Sequence, residues 1–431
     1  MRKYIIFVAI FAFCGSLYSE ITSERIYTVD KSVEDAMKNN QSILFAQEEI
    51  KLAQSRVKEA YSLMYPQVEL QTNATFFEVQ SFYPLSGDFG SVLLNPYMDD
   101  TKPYINARAV MKQVIYKGGQ ILSTKRLANI FFEQAKSRYN EIKNEIVYKV
   151  RTSFYRLLLL QEKKTGLIKG LNQLQLLDER YSTSLSDYDS LQLLMEINSL
   201  NGRIDSLNRD KQGALLDFIH NMNIEQDLNV VLDGSLEFKK VDIDLNKCLA
   251  WAEAFRPELK ASQFQEEIDT LVVNLSKAER YPKVLFGTGY EFSGSGFPLE
   301  DENWNATLSL NLPIFDGWAQ WSRVRQKRAQ ARKGKLTRNT TKDLVHLQVR
   351  KAFNEYNSQA DALSRIESFR EDILKKIVSE NNGLSRTVNF EKRKNLIKYE
   401  AEINNQYLEA LSRAINAQLT LEYVVGRTLE Q

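Results

Sequence analysis

One long motif occurs twice in this 431-residue chain, and each copy interrupts helix-like sequence with a pair of strand-like segments. The first copy runs from Tyr65-Pro66-Gln67-Val68 to Tyr116-Lys117-Gly118-Gly119, and the second from Tyr281-Pro282-Lys283-Val284 to Phe315-Asp316-Gly317-Trp318. Pro66 and Pro282 lie 216 positions apart, whereas Gly118 and Gly317 lie 199 apart. The second shift persists downstream, where Val150-Arg151-Thr152-Ser153-Phe154 matches Val349-Arg350-Lys351-Ala352-Phe353. A repeat of this length means one supersecondary unit used twice. The length difference falls mainly in a loop, Glu78 to Pro103 in the first copy against Ser293 to Asn303 in the second, as expected where paired elements hold their length and loops absorb insertions.

The strand segments are patterned with period two. In Trp304-Asn305-Ala306-Thr307-Leu308-Ser309-Leu310-Asn311-Leu312, apolar and polar residues alternate without exception. Val68, Leu70, Ala74 and Phe76 alternate with Glu69, Gln71, Asn73 and Thr75. Ile105, Ala107, Ala109 and Met111 oppose Asn106, Arg108 and Lys112, with Val110 as an exception on the polar side. Val284, Phe286, Tyr290 and Phe292 alternate less cleanly with Leu285, Gly287, Gly289 and Glu291. The expected strands are 66–77, 104–116, 282–292 and 303–315, long enough to cross a bilayer when tilted. Aromatics mark both ends: Tyr65, Tyr116, Tyr281, Phe315 and Trp318 beside the helices, and Phe76, Tyr104, Phe292 and Trp304 beside the loops. Two aromatic girdles around an apolar band are the pattern of a transmembrane barrel, although a soluble half-buried sheet also alternates.

This alternation makes Val68, Leu70, Phe76, Ile105, Trp304, Leu308 and Leu310 candidates to face lipid. It makes Glu69, Gln71, Asn73, Asn106, Arg108, Lys112, Asn305, Thr307 and Asn311 candidates to line a water-filled lumen. Four strands cannot close a barrel, and open edges are not tolerated in lipid. Chains must therefore pool their strands. Two chains give eight, whose interior side chains fill, and three give twelve, which leaves a lumen.

The eight prolines leave 104–256 and everything after Pro313 proline-free, so two very long helical stretches are allowed. Gln120 to Tyr181 can run as one helix, with a bend or break near Gly166 and Gly170 as a further option. Ala46, Ile50, Ala53, Val57, Ala60 and Met64, and likewise Ile403, Tyr407, Ala410, Ala414, Ala417, Leu421 and Val424, step by four and three, as in coiled-coil seams.

Net charge is only +2, which argues against a nucleic-acid partner. His220 and His346 are far apart on helix-like segments, and Cys14 and Cys248 are the only cysteines. No metal-ligand spacing, phosphate loop or nucleophile–base pair is present, so no cofactor, metal or catalytic residue is expected. Residues 1–19 read as a secretory signal peptide, with Arg2 and Lys3 before the apolar run Tyr4 to Phe13 and cleavage after Ser16 or Ser19. Lipidation at Cys14 is disfavoured by Phe13 before it. The expected organisation is a first repeat over 20–220, a linker over 221–245 and a second repeat over 246–431.

In order and duplication, several marks resemble the TolC-like outer-membrane efflux and secretion channels. They are Ala60 through Tyr65-Pro66, Arg256-Pro257-Glu258-Leu259, Leu312-Pro313-Ile314-Phe315-Asp316-Gly317, Val349-Arg350 with Phe353, and the terminal Leu421 to Gly426. The resemblance covers nearly all of the mature chain. It implies a mainly α protein with a small β part: a homotrimer in which four strands per chain build a twelve-stranded outer-membrane β-barrel. Long antiparallel coiled-coil helices would extend this into a twelve-helix tunnel through the periplasm. A periplasmic adaptor and an inner-membrane pump would be its partners, in efflux or type I secretion.

The resemblance also places hairpin tips, where the family carries glycine; here Ser184 and Asn389 occupy those positions, beside Ser190. Where some members carry gating aspartates, this chain has Asn395 and Lys398, which weighs against a cation-selective acidic gate. Asp187, Asp189 and Glu400 are the nearby acids available in their place, although a charged helix residue is more often simply solvated. The alternative to a duct is a periplasmic coiled-coil scaffold carrying a soluble β-layer.

Overall fold

The computed structural model describes residues 25–76, 85–87, 90–92, 104–181, 186–224, 230–383 and 390–429. The signal segment with Cys14, and the tip positions Ser184 and Asn389, lie outside them.

The elements run β1 (Arg25–Tyr27), α1 (Val29–Asn39), α2 (Gln41–Ser62), β2 (Gln67–Thr75), β3 (Leu85–Gly87), β4 (Gly90–Val92), β5 (Tyr104–Lys117), α3 (Gln120–Tyr181) and α4 (Asp187–Met222). They continue with β6 (Val230–Leu232), α5 (Leu245–Phe255), α6 (Pro257–Ala278), β7 (Lys283–Gly294), β8 (Asp301–Asn311), α7 (Ala319–Gly383) and α8 (Phe390–Val425). α1 and α5 have 11 residues each, α2 and α6 have 22, and α4 and α8 have 36. The long helices α3 and α7 have 62 and 65. α3 passes through Gly166 and Gly170 unbroken, so the optional break is not used. A glycine in a helix interior costs about 1 kcal/mol against alanine, little beside the hydrogen bonds of a helix this long.

The helix starts follow side-chain capping. Thr28 accepts from the Lys31 N–H at α1 and Asp244 from the Asn246 N–H at α5, each satisfying a free first-turn donor. Pro257, whose missing N–H costs nothing in a first turn, opens α6. Asn223 ends α4 in the left-handed conformation, φ 53°, which asparagine tolerates better than most residues.

The chain forms two compact units. The first comprises 1–47, 138–257 and 342–431. Its core packs Tyr27, Ile43, Val150, Phe154, Leu157, Phe218 and Met222, next to the two-stranded parallel pair β1–β6. Further clusters join Leu167, Leu174, Leu193 and Phe390, and Leu363, Ala410, Ala414, Ile415 and Leu419. The seam residues Ile403, Ala410, Ala414, Ala417, Leu421 and Val424 are all buried.

In the same unit, Arg256 closes the α5–α6 junction onto the end of α8. Its guanidinium donates to the Val424 carbonyl (3.1 Å) and to Gln348 Oε1 (2.8 Å). The Arg427 guanidinium lies over Trp251, at 4.6 Å. A cation among the last carbonyls of a helix is favourable because the helix dipole is negative there.

The second unit comprises 48–137 and 258–341 and contains one antiparallel four-stranded sheet, in the order β2-β5-β7-β8. β8 stops at Asn311, four residues short of the expected 315, because Pro313 cannot donate to a ladder. β2 stops at Thr75, one residue before Phe76. β3 and β4 pair as a separate small hairpin.

Gly118 is the glycine of this unit that neighbouring backbone crowds most closely. It has φ +59°, and an added Cβ would lie 2.5 Å from the Ala278 carbonyl oxygen and 2.8 Å from Tyr281 Cβ. Its counterpart Gly317 also has a positive φ, +65°, but open space around it. Gly317→Ala is therefore expected to cost only the left-handed strain, roughly 1–2 kcal/mol. Gly118→Ala should cost clearly more, because backbone must shift as well. Thermal denaturation of the two purified variants checks the order; equal midpoints would contradict it.

Candidate pore face

Cross-strand registration decides which side chains share a face. Gln71 pairs with Arg108 and Asn73 with Asn106; Arg108 pairs onward with Glu291, and Glu291 with Asn303. Lys112 pairs with Gly287 and Gly287 with Thr307, while Glu69 registers with Val110, Gly289 and Asn305. Asn311 pairs with Lys283 at the helix end. All nine residues expected to line a lumen therefore lie on one face of the sheet.

The other face carries Val68 beside Met111, Leu70 beside Ala109 and then Tyr290 and Trp304, and Ile105 beside Ala74. Leu308 pairs with Phe286 and Leu310 with Val284 on that same face. Six of the seven residues expected to face lipid share it. Phe76 lies just beyond β2, so pairing does not fix its side. Val68, Leu70, Trp304, Leu308 and Leu310 are each at least 70% exposed. So contiguous an apolar surface marks a membrane or partner contact rather than a face meant for water.

Aromatic rows bound the apolar face. At the loop end Tyr290 and Phe292 pack edge to face, with centroids 5.1 Å apart, and the Tyr290 hydroxyl donates to Glu302 (2.7 Å). At the helix end Phe315 packs on Trp318, and Arg280 lies 3.6 Å over the Trp321 ring. Trp321 and Arg280 were not singled out in the sequence, although they extend its aromatic cluster at Phe315 and Trp318. The 11 residues of β8, at roughly 3.4 Å each and tilted by about 45°, rise about 25 Å, the height of a barrel's apolar band.

The polar face is charged and partly networked. Lys112 Nζ lies 3.9 Å from Glu69. Glu291 accepts from the Tyr104 hydroxyl (3.1 Å) and the Asn106 amide (2.8 Å). Glycine at 289 leaves room for the Arg108 guanidinium, whose Nε would be 3.0 Å from any Cβ built there. Within the four-stranded sheet, β2 and β8 each pair on one side only.

In the first unit, Ser186 caps α4 by accepting from the Asp189 N–H and donating to its carboxylate (2.8 Å). Asp187 and Asp189 thus sit in the first turn of α4, where the helix dipole favours acids. Ser190 donates its N–H to the Ser186 carbonyl in the same turn. Lys398 lies 3.8 Å from Glu196, and Glu400 accepts from Lys169 (2.9 Å). A cavity of about 530 Å³ between α3, α4 and α8 is lined by Leu167, Leu174, Tyr188, Leu191, Asn395 and Lys398, among others.

Neither histidine forms a reactive centre. His220 is exposed, and His346 meets Glu253 at 2.7 Å. Lys342 and His346 hold the Glu253 carboxyl below its ordinary range, and Lys163 does the same for Glu409. Burial pushes the Cys248 thiol up, which suits a packed residue and not a nucleophile. Among the described residues no group of three His, Cys, Asp or Glu side chains could hold a metal ion, and no helix is long and apolar enough to cross a membrane.

Residues 250–368 match the family model for outer membrane efflux proteins. No curated protein sequence matches the chain. Among solved structures, the open state of the Neisseria gonorrhoeae MtrE outer membrane channel superposes with a TM-score of 0.76 at 12% identity, covering 93% of this chain and 89% of that one. The Campylobacter jejuni CmeC outer membrane channel gives 0.73 at 12% identity, covering 92% and 85%. The outer membrane protein VceC of Vibrio cholerae gives 0.73 at 14% identity, covering 93% and 96%. At these identities the likeness is one of fold.

Proposed function

We propose that this chain, TolC-like in its family match and in its fold, is a passive outer-membrane channel that assembles as a trimer and conducts cargo delivered by an inner-membrane pump. On this reading it is an outer-membrane efflux-type protein and not an enzyme, as the family match over residues 250–368 supports. The observation that carries the duct reading is the four-stranded sheet itself, with one exposed apolar face, one polar face and two open edges.

Lipid makes each of those features necessary together. An unpaired strand edge in hydrocarbon leaves backbone groups unsatisfied at several kcal/mol each. Adjacent strands of the sheet are antiparallel, so β2 and β8 run in opposite directions. A junction of β8 with β2 of the next chain continues the same ladder. Three chains give twelve strands, and the polar faces then enclose water. Val68, Leu70, Phe76, Ile105, Trp304, Leu308 and Leu310 meet lipid in this arrangement. Glu69, Gln71, Asn73, Asn106, Arg108, Lys112, Asn305, Thr307 and Asn311 meet the lumen.

The paired helix lengths of the two halves support the same assembly, since equal coiled coils can alternate around a tunnel. The cavity beside exposed Tyr188, Leu191 and Met195, lined by leucines together with Gln192, Lys394 and Lys398, is where a periplasmic adaptor would dock. A periplasmic scaffold would account for the helices but would leave Trp304, Leu308 and Leu310 in water.

The full chain, extracted from membranes in detergent, is expected to run as a heat-resistant trimer and to open ion-conducting pores in a planar bilayer. A water-soluble monomer without conductance would overturn the proposal.

A further inference from the structure

We infer that the lumen side of the sheet is built to favour anions, through Arg108, Lys117 and Lys283. The inference rests on the channel reading above and names the class of solute that the channel prefers.

The bulge in β5 between Val114 and Tyr116 brings Lys117 directly opposite Lys283, and Lys283 is in register with Asn311 on the polar face. Two ammonium groups facing each other across a ladder are destabilising. No ion pair or hydrogen bond offsets them among the described residues, and both side chains are partly buried. The fold gains nothing from this pair. An anion passing the helix end of the strands would relieve it.

Five residues back along β5 from Lys117 toward the loops, at Lys112, the charge pattern changes. Lys112 has Glu69 beside it, so its charge is largely matched. Arg108 has no carboxylate within ion-pairing distance among the described residues. Its cross-strand neighbour Glu291 is already held by Tyr104 and Asn106. The guanidinium instead lies over Gly289, against Asn305, in space that any larger residue at 289 would take. Glu291 lies level with Arg108, and Asp301 beyond it at the loop end of the face. The lysine pair therefore stands unmatched at the helix end, Arg108 adds a cation level with Glu291, and Asp301 lies at the loop mouth. Rings of Arg or Lys in a narrow, low-dielectric passage concentrate anions and repel cations. At the tunnel entrance Asn395 and Lys398 add no acid, and the nearby Glu196 and Glu400 have lysine partners.

The test is the reversal potential of the full-length channel in a planar bilayer under a potassium chloride gradient. Wild type is expected to pass chloride over potassium. Lys117→Gln with Lys283→Gln should lower the chloride-to-potassium permeability ratio severalfold, and adding Arg108→Gln should reverse the sign of the potential. Lys117→Arg with Lys283→Arg and Arg108→Lys, which keep the charges, should restore wild-type selectivity and so separate charge from folding. Conductance that is cation-selective in the wild type, or unmoved by the triple neutralisation, would overturn the inference while leaving the channel intact. A wild-type protein with no conductance would overturn the channel reading and this inference together.

Discussion

Leu308→Arg and Leu310→Arg are expected to abolish assembly in the outer membrane, whereas Ser309→Arg between them should assemble and change only conduction. Leu308 and Leu310 lie on the face shared with Val284, Phe286 and Trp304, about 70% exposed, with acyl chains as their proposed surroundings. A cation held near the bilayer midplane on a barrel's outer face costs about 2–4 kcal/mol, and in a trimer each substitution occurs three times. Ser309 pairs with Leu285 on the opposite, polar face, where an arginine keeps its hydration. The amount of heat-resistant oligomer recovered from the outer-membrane fraction measures the first effect, and single-channel current the second. Equal recovery of all three variants would mean that the two faces have been assigned the wrong way round or that neither meets lipid.

How far the sequence discloses such faces varies from element to element. In β8 the period is two and the two sides differ in character, so pattern alone assigns every residue from Trp304 to Asn311 as the register does. Val110, anomalous in the sequence, sits opposite Gly289 on the polar face and is buried there. Lys117 illustrates the limit of parity. Strict alternation from Ile105 puts it on the apolar side, but the bulge at Ile115 moves it across to meet Lys283.

The long helices were readable because a run without proline or capping signals has no reason to stop. β1–β6 and β3–β4 were not, since strands of three residues are too short to show a period. The Arg256-Pro257-Glu258-Leu259 motif was visible as a mark of resemblance. Its work, donating to Val424 at the end of α8, is a contact 168 residues away in sequence and leaves no local pattern. Asp189, weighed as a gate acid, is occupied in capping α4.

The second large effect is expected at such a long-range contact. Arg151 on α3 donates to Glu422 on α8 at 2.6 Å, and the Glu422 side chain is only 7% exposed. The Glu422 carbonyl also receives the Gly426 and Arg427 N–H groups that end α8 (2.9 and 3.2 Å), so the pair fixes the helix terminus onto α3. Arg151→Leu leaves a buried carboxylate with only the long contacts from Gln418 and the Leu429 N–H, both 3.4 Å. Removing one member of a buried pair costs about 3–5 kcal/mol, whereas replacing both with apolar residues is often close to neutral. Arg151→Leu should therefore lower the unfolding midpoint in detergent strongly, and Arg151→Leu with Glu422→Leu should recover much of the loss. The coupling between the two sites is read from the full double-mutant cycle. A double variant no more stable than Arg151→Leu alone would show that the carboxylate is not stranded, and that the ion pair contributes to the α3–α8 junction only through its packing.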